Sequence, residues 1–148
     1  MKSFRPGFFL TVIATFLISP SCNQENVDVC GEKLPQLDQK LENAIAALQP
    51  WLTNQPGRYL ASATDMMAEV DKKSWREWGQ NVLVDVQRYA DYIDSDSSLI
   101  HLKYQLSAVS NDLVSFVGYA DSGNANKMVI VLARIREKTK RSEEMICN

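Results

Sequence analysis

Leu99-Ile-His-Leu102-Lys-Tyr-Gln-Leu106-Ser-Ala-Val109-Ser-Asn-Asp-Leu113-Val-Ser-Phe116 is the stretch whose reading decides the fold. Its large apolar residues Leu99, Leu102, Leu106, Val109, Leu113 and Phe116 recur at alternating steps of three and four. That spacing places all six on one stripe of an α-helix and repeats the a/d seam of helices packed side by side in antiparallel bundles. The other apolar patterns agree with it. Leu34, Leu37, Leu41, Ala44, Ile45 and Leu48 form a stripe on a first helix starting near Lys33, with Pro35 in its first turn and Pro50 ending or bending it. Trp75, Trp78, Val82, Val86, Tyr89 and Ile93 line a third, and Met128, Val131, Leu132, Ile135 and Thr139 a last one, running from about Asn126 to Cys147 with Met145 and Ile146 also facing inward.

Between the first and third stripes the pattern is weaker. Asn54, Pro56 and Gly57 read as a turn, and 58–70 as a shorter helix. Ser74-Trp75-Arg76-Glu77 has the form of a capping box, so a new helix is expected at Trp75. Gly79 lies beside the third stripe, where it allows a close backbone approach or a kink. Residues 94–98, Asp-Ser-Asp-Ser-Ser, supply a turn and an N-cap, and Gly118 to Asn126 reads as a loop. No stretch keeps a period of two long enough for a strand. The expected architecture is all-α: an antiparallel, up-and-down bundle of four main helices plus one shorter one, in a single domain over 32–148.

Ahead of the domain stands a leader. Lys2 and Arg5 precede Gly7 to Ile18, an almost wholly apolar run, and Ser19-Pro20-Ser21 follows. A basic start, an apolar stretch of roughly 7–15 residues and small residues before a cut describe a secretory signal peptide, here 1–21. The run falls short of the roughly 20 apolar residues that cross a bilayer. A cut after Ser21 leaves Cys22 first. A cysteine there resembles a bacterial lipoprotein signal, in which that thiol is diacylated; the resemblance covers only the leader, and Ser19 stands where the family usually has an aliphatic residue. Ordinary signal peptidase accepts Ser19 and Ser21 equally well. In enterobacterial-type sorting Asn23 is not the aspartate of inner-membrane retention, so the resemblance implies the periplasmic face of the outer membrane. Residues 22–31 are polar and aperiodic and read as a tether.

The chain has three cysteines, Cys22, Cys30 and Cys147. In an oxidising compartment an odd cysteine needs an explanation. With Cys22 carrying lipid, Cys30 and Cys147 pair and clasp the two ends of the domain; the rival arrangement is Cys22–Cys30 with Cys147 free. An even number of long helices in an up-and-down bundle returns the C-terminus to the starting end, as the long-range pairing needs.

The chemistry open to the chain is narrow. A net charge of −2 argues against general nucleic-acid binding. Six basic residues and one acid lie between Lys127 and Arg141, which reads as a solvated helix face. His101 is the one histidine, so multi-histidine zinc and di-iron sites are excluded. No nucleotide-binding, serine-hydrolase or zinc-protease motif occurs. Asp94-x-Asp96-x-Ser98 starts like a calcium loop but has Leu99 at the sixth position and Gln105 at the twelfth. No nucleophile has a neighbouring base, and no enzyme activity or cofactor is expected. His101 with a methionine such as Met66 or Met67 is the axial pair open to a haem, although His101 lies about 100° off the inward stripe. Trp51, Tyr59 and Tyr104 fall off the clear stripes and, beside Met66 and Met67, form the candidate partner-binding set. In outline the chain is similar to the helical pilotins of type II secretion, small all-α lipoproteins that bear a disulfide; the similarity is of size and layout, with no shared motif, so no residue roles carry over. An exported inhibitor or immunity-type protein has the same outline. The function expected is a non-enzymatic exported protein that binds another envelope protein; the alternative is a bundle holding a small molecule or haem.

Overall fold

The structure, a computed structural model, describes residues 27–52, 67–94 and 97–147. Among them every regular element is helical. The four helices are α1 (Leu34–Leu48), α2 (Glu69–Asp91), α3 (Ile100–Asp121) and α4 (Ala125–Ser142). A wide π-type turn, Val29–Lys33, leads into α1, and a second one, Glu143–Cys147, follows α4. A tight 3₁₀ turn, Gln49–Trp51, closes α1 at Pro50, where the ring removes a backbone donor.

The helices form a bundle in which α3 packs between α2 and α4, and α1 packs on α4. The seam on α3 is its inner face: Leu102, Leu106, Val109, Leu113 and Phe116 are buried. Leu99 sits just ahead of the helix and is only partly buried. They meet Val82, Val86 and Tyr89 of α2, Leu34, Leu37, Leu41 and Leu48 of α1, and Met128, Leu132 and Ile135 of α4 in one core cluster. The ion pairs between helices run as antiparallel neighbours require. Asp38, in the first turns of α1, meets Arg136, late in α4. Lys40, near the middle of α1, meets Asp85, in the second half of α2. Arg76, early in α2, meets Asp121, the last residue of α3.

The α2–α3 contact is the most extensive in the bundle, and Gly79 allows the two helices to approach closely. A Cβ placed on Gly79 would lie 2.7 Å from Phe116 Cδ1 and 3.1 Å from a Val117 methyl. The missing side chain lets the Phe116 ring rest on the α2 backbone. Trp75 and Trp78 flank that ring edge-on, with centroids 6.4 Å and 5.3 Å from it. Of the two roles open to Gly79, close approach is the one it fills.

Several boundaries differ from expectation. Residues 53–66, which hold most of the expected helix 58–70, lie outside the described residues. Ala68 is extended and α2 starts at Glu69, so Ser74 stands one turn inside a continuous helix and no new helix begins at Trp75. The capping-box reading fails because the start is set upstream. Glu69 and Asp71 place negative charge on the first turn, where the helix dipole favours it, and the Ser74 hydroxyl donates back to the Val70 carbonyl at 2.9 Å. The loop expected from Gly118 is shorter than its composition suggests. α3 continues through Gly118 to Asp121; only Ser122, Gly123 and Asn124 turn the chain. Gly123 takes φ +67°, the left-handed geometry that closes a helix, and the Asn124 side chain caps α4 by accepting from the Lys127 amide. At the other end Val29, within the stretch read as tether, is buried in the core cluster.

Cys30 and Cys147 form a disulfide, with Cα atoms 5.6 Å apart and 117 positions between them in sequence. Each sits in one of the two π-type turns. The bridge ties the entry of α1 to the exit of α4, so both ends of the described domain meet at one pole.

Candidate functional site

Most of the basic run on α4 reaches toward neighbouring helices. Toward α1, the Arg136 guanidinium donates to both carboxylate oxygens of Asp38, at 2.6 Å and 3.2 Å, and to Glu42 at 3.0 Å. The Arg136 hydrogen bonds hold the Asp38 carboxyl below the usual aspartate range, and the pairing raises Arg136 in turn. Toward α3, Arg134 and Lys138 each donate to Asp112 at 2.7 Å. Lys127 lies over the Tyr119 ring, 5.2 Å from its centroid. The expected solvated face is largely exposed, and it is also an electrostatic seam between α4 and the helices on either side. Its acids lie on α1 and α3, far away in sequence.

Because Asp38 is held as the anion by Arg136, its contribution to stability is complete above the ordinary aspartate pKa, about 3.9, and is lost as pH falls through the lowered folded value. Asp38→Asn should therefore unfold more readily at neutral pH and lose less than the native chain on acidification. Urea midpoints measured from pH 7 down to pH 2 check this; parallel curves for the two proteins would remove Asp38 from the acid response.

Where α4 nears its end, the surface opens into a groove of about 360 Å³ between α3, α4 and the closing turn. It is lined by Gln105 of α3, by Arg134, Glu137, Lys138, Arg141 and Ser142 of α4, and by Met145 and Ile146 of the closing turn. Ser142 is buried and satisfied, its hydroxyl donating to the Lys138 carbonyl at 2.9 Å. Arg141 makes a longer bond, 3.4 Å, to Glu137, and both are open to solvent. The groove gathers cations, one carboxamide and a thioether, groups suited to holding a ligand.

The sequence-derived partner set is not brought together. Tyr104 is 66% exposed on α3, beside groove-lining Gln105 in sequence, and keeps its candidacy. Trp51 is partly buried and packs against the core. Met67, at 5% exposure, is a core residue beside Gly123, which corrects its assignment to the binding set: an apolar side chain at the turn into α2 is drawn inward. Tyr59 and Met66 lie outside the described residues, as do the leader and Cys22. Met145, expected to face inward, is 73% exposed, because α4 gives way to the wider turn at Glu143 and the inward register is lost. Sequence reasoning missed Gln105, Arg134, Lys138 and Arg141 as a group; the density of basic residues was the one available signal.

Met67 and His101 cannot share a haem. Met67 packs near Gly123, just beyond the end of α3, while His101 is in the first turn of that helix. About 30 Å of helix separates them at 1.5 Å per residue. Among the described residues there is no cluster of three or more potential metal ligands, and no helix is long and apolar enough to cross a membrane. Compared with protein-family models, with curated proteins and with solved structures, the chain matches none.

Proposed function

We propose that the chain is an exported, non-enzymatic up-and-down helical bundle that is carried on a lipid at Cys22, at the periplasmic face of the outer membrane, and binds another envelope protein. The observation that carries this reading is the Cys30–Cys147 disulfide. A bridge between the two ends of the domain fits an oxidising compartment, and it uses up two of three cysteines. The third, Cys22, then stands directly behind the leader as the acyl acceptor.

The pole closed by the disulfide supports a binding role. The tether enters there, and exposed Tyr104, Met145 and the α3–α4 groove lie on that side of the bundle. Residues 22–28 reach at most about 25 Å when extended. A ligand in the groove would therefore lie close to the membrane, as expected for an accessory protein that holds or escorts a membrane component.

Two measurements test the reading. Intact mass of the protein from its native envelope should give a chain starting at Cys22 with added acyl mass; a mature chain with no acyl mass removes the anchor. Cross-linked capture from the same envelope should bring down one dominant protein, and Tyr104→Ala should reduce its yield. A bait that captures nothing above background overturns the binding role.

A further inference from the structure

We infer that the groove between α3, α4 and the closing turn is built to receive an acidic, amphipathic segment of the partner; this rests on the binding reading above and names the chemistry that the partner must carry. Of the charged side chains that line the groove, three are cations, Arg134, Lys138 and Arg141, and one, Glu137, is a carboxylate. Arg134 and Lys138 share a carboxylate outside the lining, Asp112, whose side chain is only 14% exposed. Arg141 pairs with Glu137 one helical turn away, in an exposed pair that is weak and easily exchanged for a ligand carboxylate. A carboxylate entering beside Arg141 also meets Gln105, whose side-chain amide has no hydrogen-bond partner among the described residues and can donate to it.

The closing turn selects the apolar half of the segment. Met145 and Ile146 present a thioether and a branched alkyl group, and methionine adapts its shape to different apolar partners. The groove volume suits one or two side chains, so a segment would lie across it and insert a carboxylate beside the cations and an apolar residue beside Met145 and Ile146. The lining is held before binding. Asp112 fixes Arg134 and Lys138, and the bridge at Cys147 pins the turn that carries Met145 and Ile146. Such preorganisation lowers the ordering cost of association. A basic segment would add positive charge to a lining already rich in cations, which gives discrimination as well as attraction.

The test is a titration of the full soluble domain, disulfide intact, with a synthetic amphipathic peptide of Leu and Glu, followed by NMR. The same peptide with Lys in place of Glu is the comparison. The Glu peptide should shift the Gln105 side-chain amide and the Met145 methyl, with binding that weakens as salt rises, and the Lys peptide should not. Arg141→Glu should weaken binding about tenfold or more, while Lys73→Glu, the same charge change on exposed α2 surface, leaves it intact. Equal binding of both peptides, shifts mapping away from the groove, or full affinity in Arg141→Glu overturns the proposal. So does a response to vesicles of anionic phospholipid with none to the peptide. Failure here is separable from failure of the binding reading: an envelope protein captured equally by native chain and Arg141→Glu keeps the partner and removes the groove as its site.

Discussion

Replacing Cys30 and Cys147 together by serine should cost about 2–5 kcal/mol of folding stability, the usual range for a native bridge in a small exported domain. The bridge spans 117 positions, which places it near the upper end in the chain-entropy account, at about 5 kcal/mol. The native geometry adds its own share. Each cysteine occupies a π-type turn outside the main helices, and Val29 beside Cys30 is buried in the core. Without the bridge both turns are free to fray, and Val29 and Ile146 lose their hold. Urea unfolding of the native and double-serine proteins measures the effect. The midpoint should fall, and the slope should rise because the unfolded chain is no longer cross-linked. A midpoint unchanged within error would mean that packing alone holds the two ends together.

Phe116→Ala should cost about 3–5 kcal/mol, the largest effect expected of any single core truncation here. Phe116 is fully buried where α2 and α3 approach closely, its ring set against the Gly79 backbone and flanked by Trp75 and Trp78. Truncation removes the ring's burial and both edge-on contacts, and the indoles, held by their own helix, can close only part of the space. Gly79→Ala probes the same contact from the other side. The added methyl favours helix by about 1 kcal/mol. Yet it would stand 2.7 Å from a ring carbon that has nowhere to withdraw, and overpacking of this kind costs about 1–3 kcal/mol. Gly79→Ala should destabilise the native chain and stabilise the Phe116→Ala background. That reversal of sign is the decisive readout of a double-mutant cycle; additive effects would show that the two residues do not press on one another.

The features legible in the sequence are those carried by local spacing or by elimination. The α3 seam was readable because its steps of three and four belong to one helix, and burial then follows from the stripe. The bridge was readable because three cysteines leave few pairings and a leader read as secretory points to an oxidising compartment. The misreadings have a common cause. Ser74 and Glu77 satisfy the capping-box spacing, but whether a serine caps depends on where the helix has already begun, and Glu69 decides that. Gly118 looked like a helix end by composition, yet Ala120 is buried two residues further on and keeps α3 going. The groove was out of reach for a different reason. Gln105, Arg134 and Met145 are neighbours only once α3, α4 and the closing turn have packed. Likewise, the basic residues of α4 looked merely solvated because the acids that hold them, Asp38 and Asp112, lie on other helices.

The joined ends of the domain also set how it would respond to tension. Consider a pull between the chain ahead of Val27 and a ligand seated against Met145 and Ile146. The shortest covalent route runs from Val27 to Cys30, across the sulfur bridge to Cys147, and back one residue to Ile146. None of the four helices lies on that route. The bundle hangs beside the line of force like a body on a closed ring, so such a pull passes with no helix drawn out of register. Reduction of the bridge reroutes the same pull through every helix in turn, converting a stiff coupling into one that gives way by unfolding.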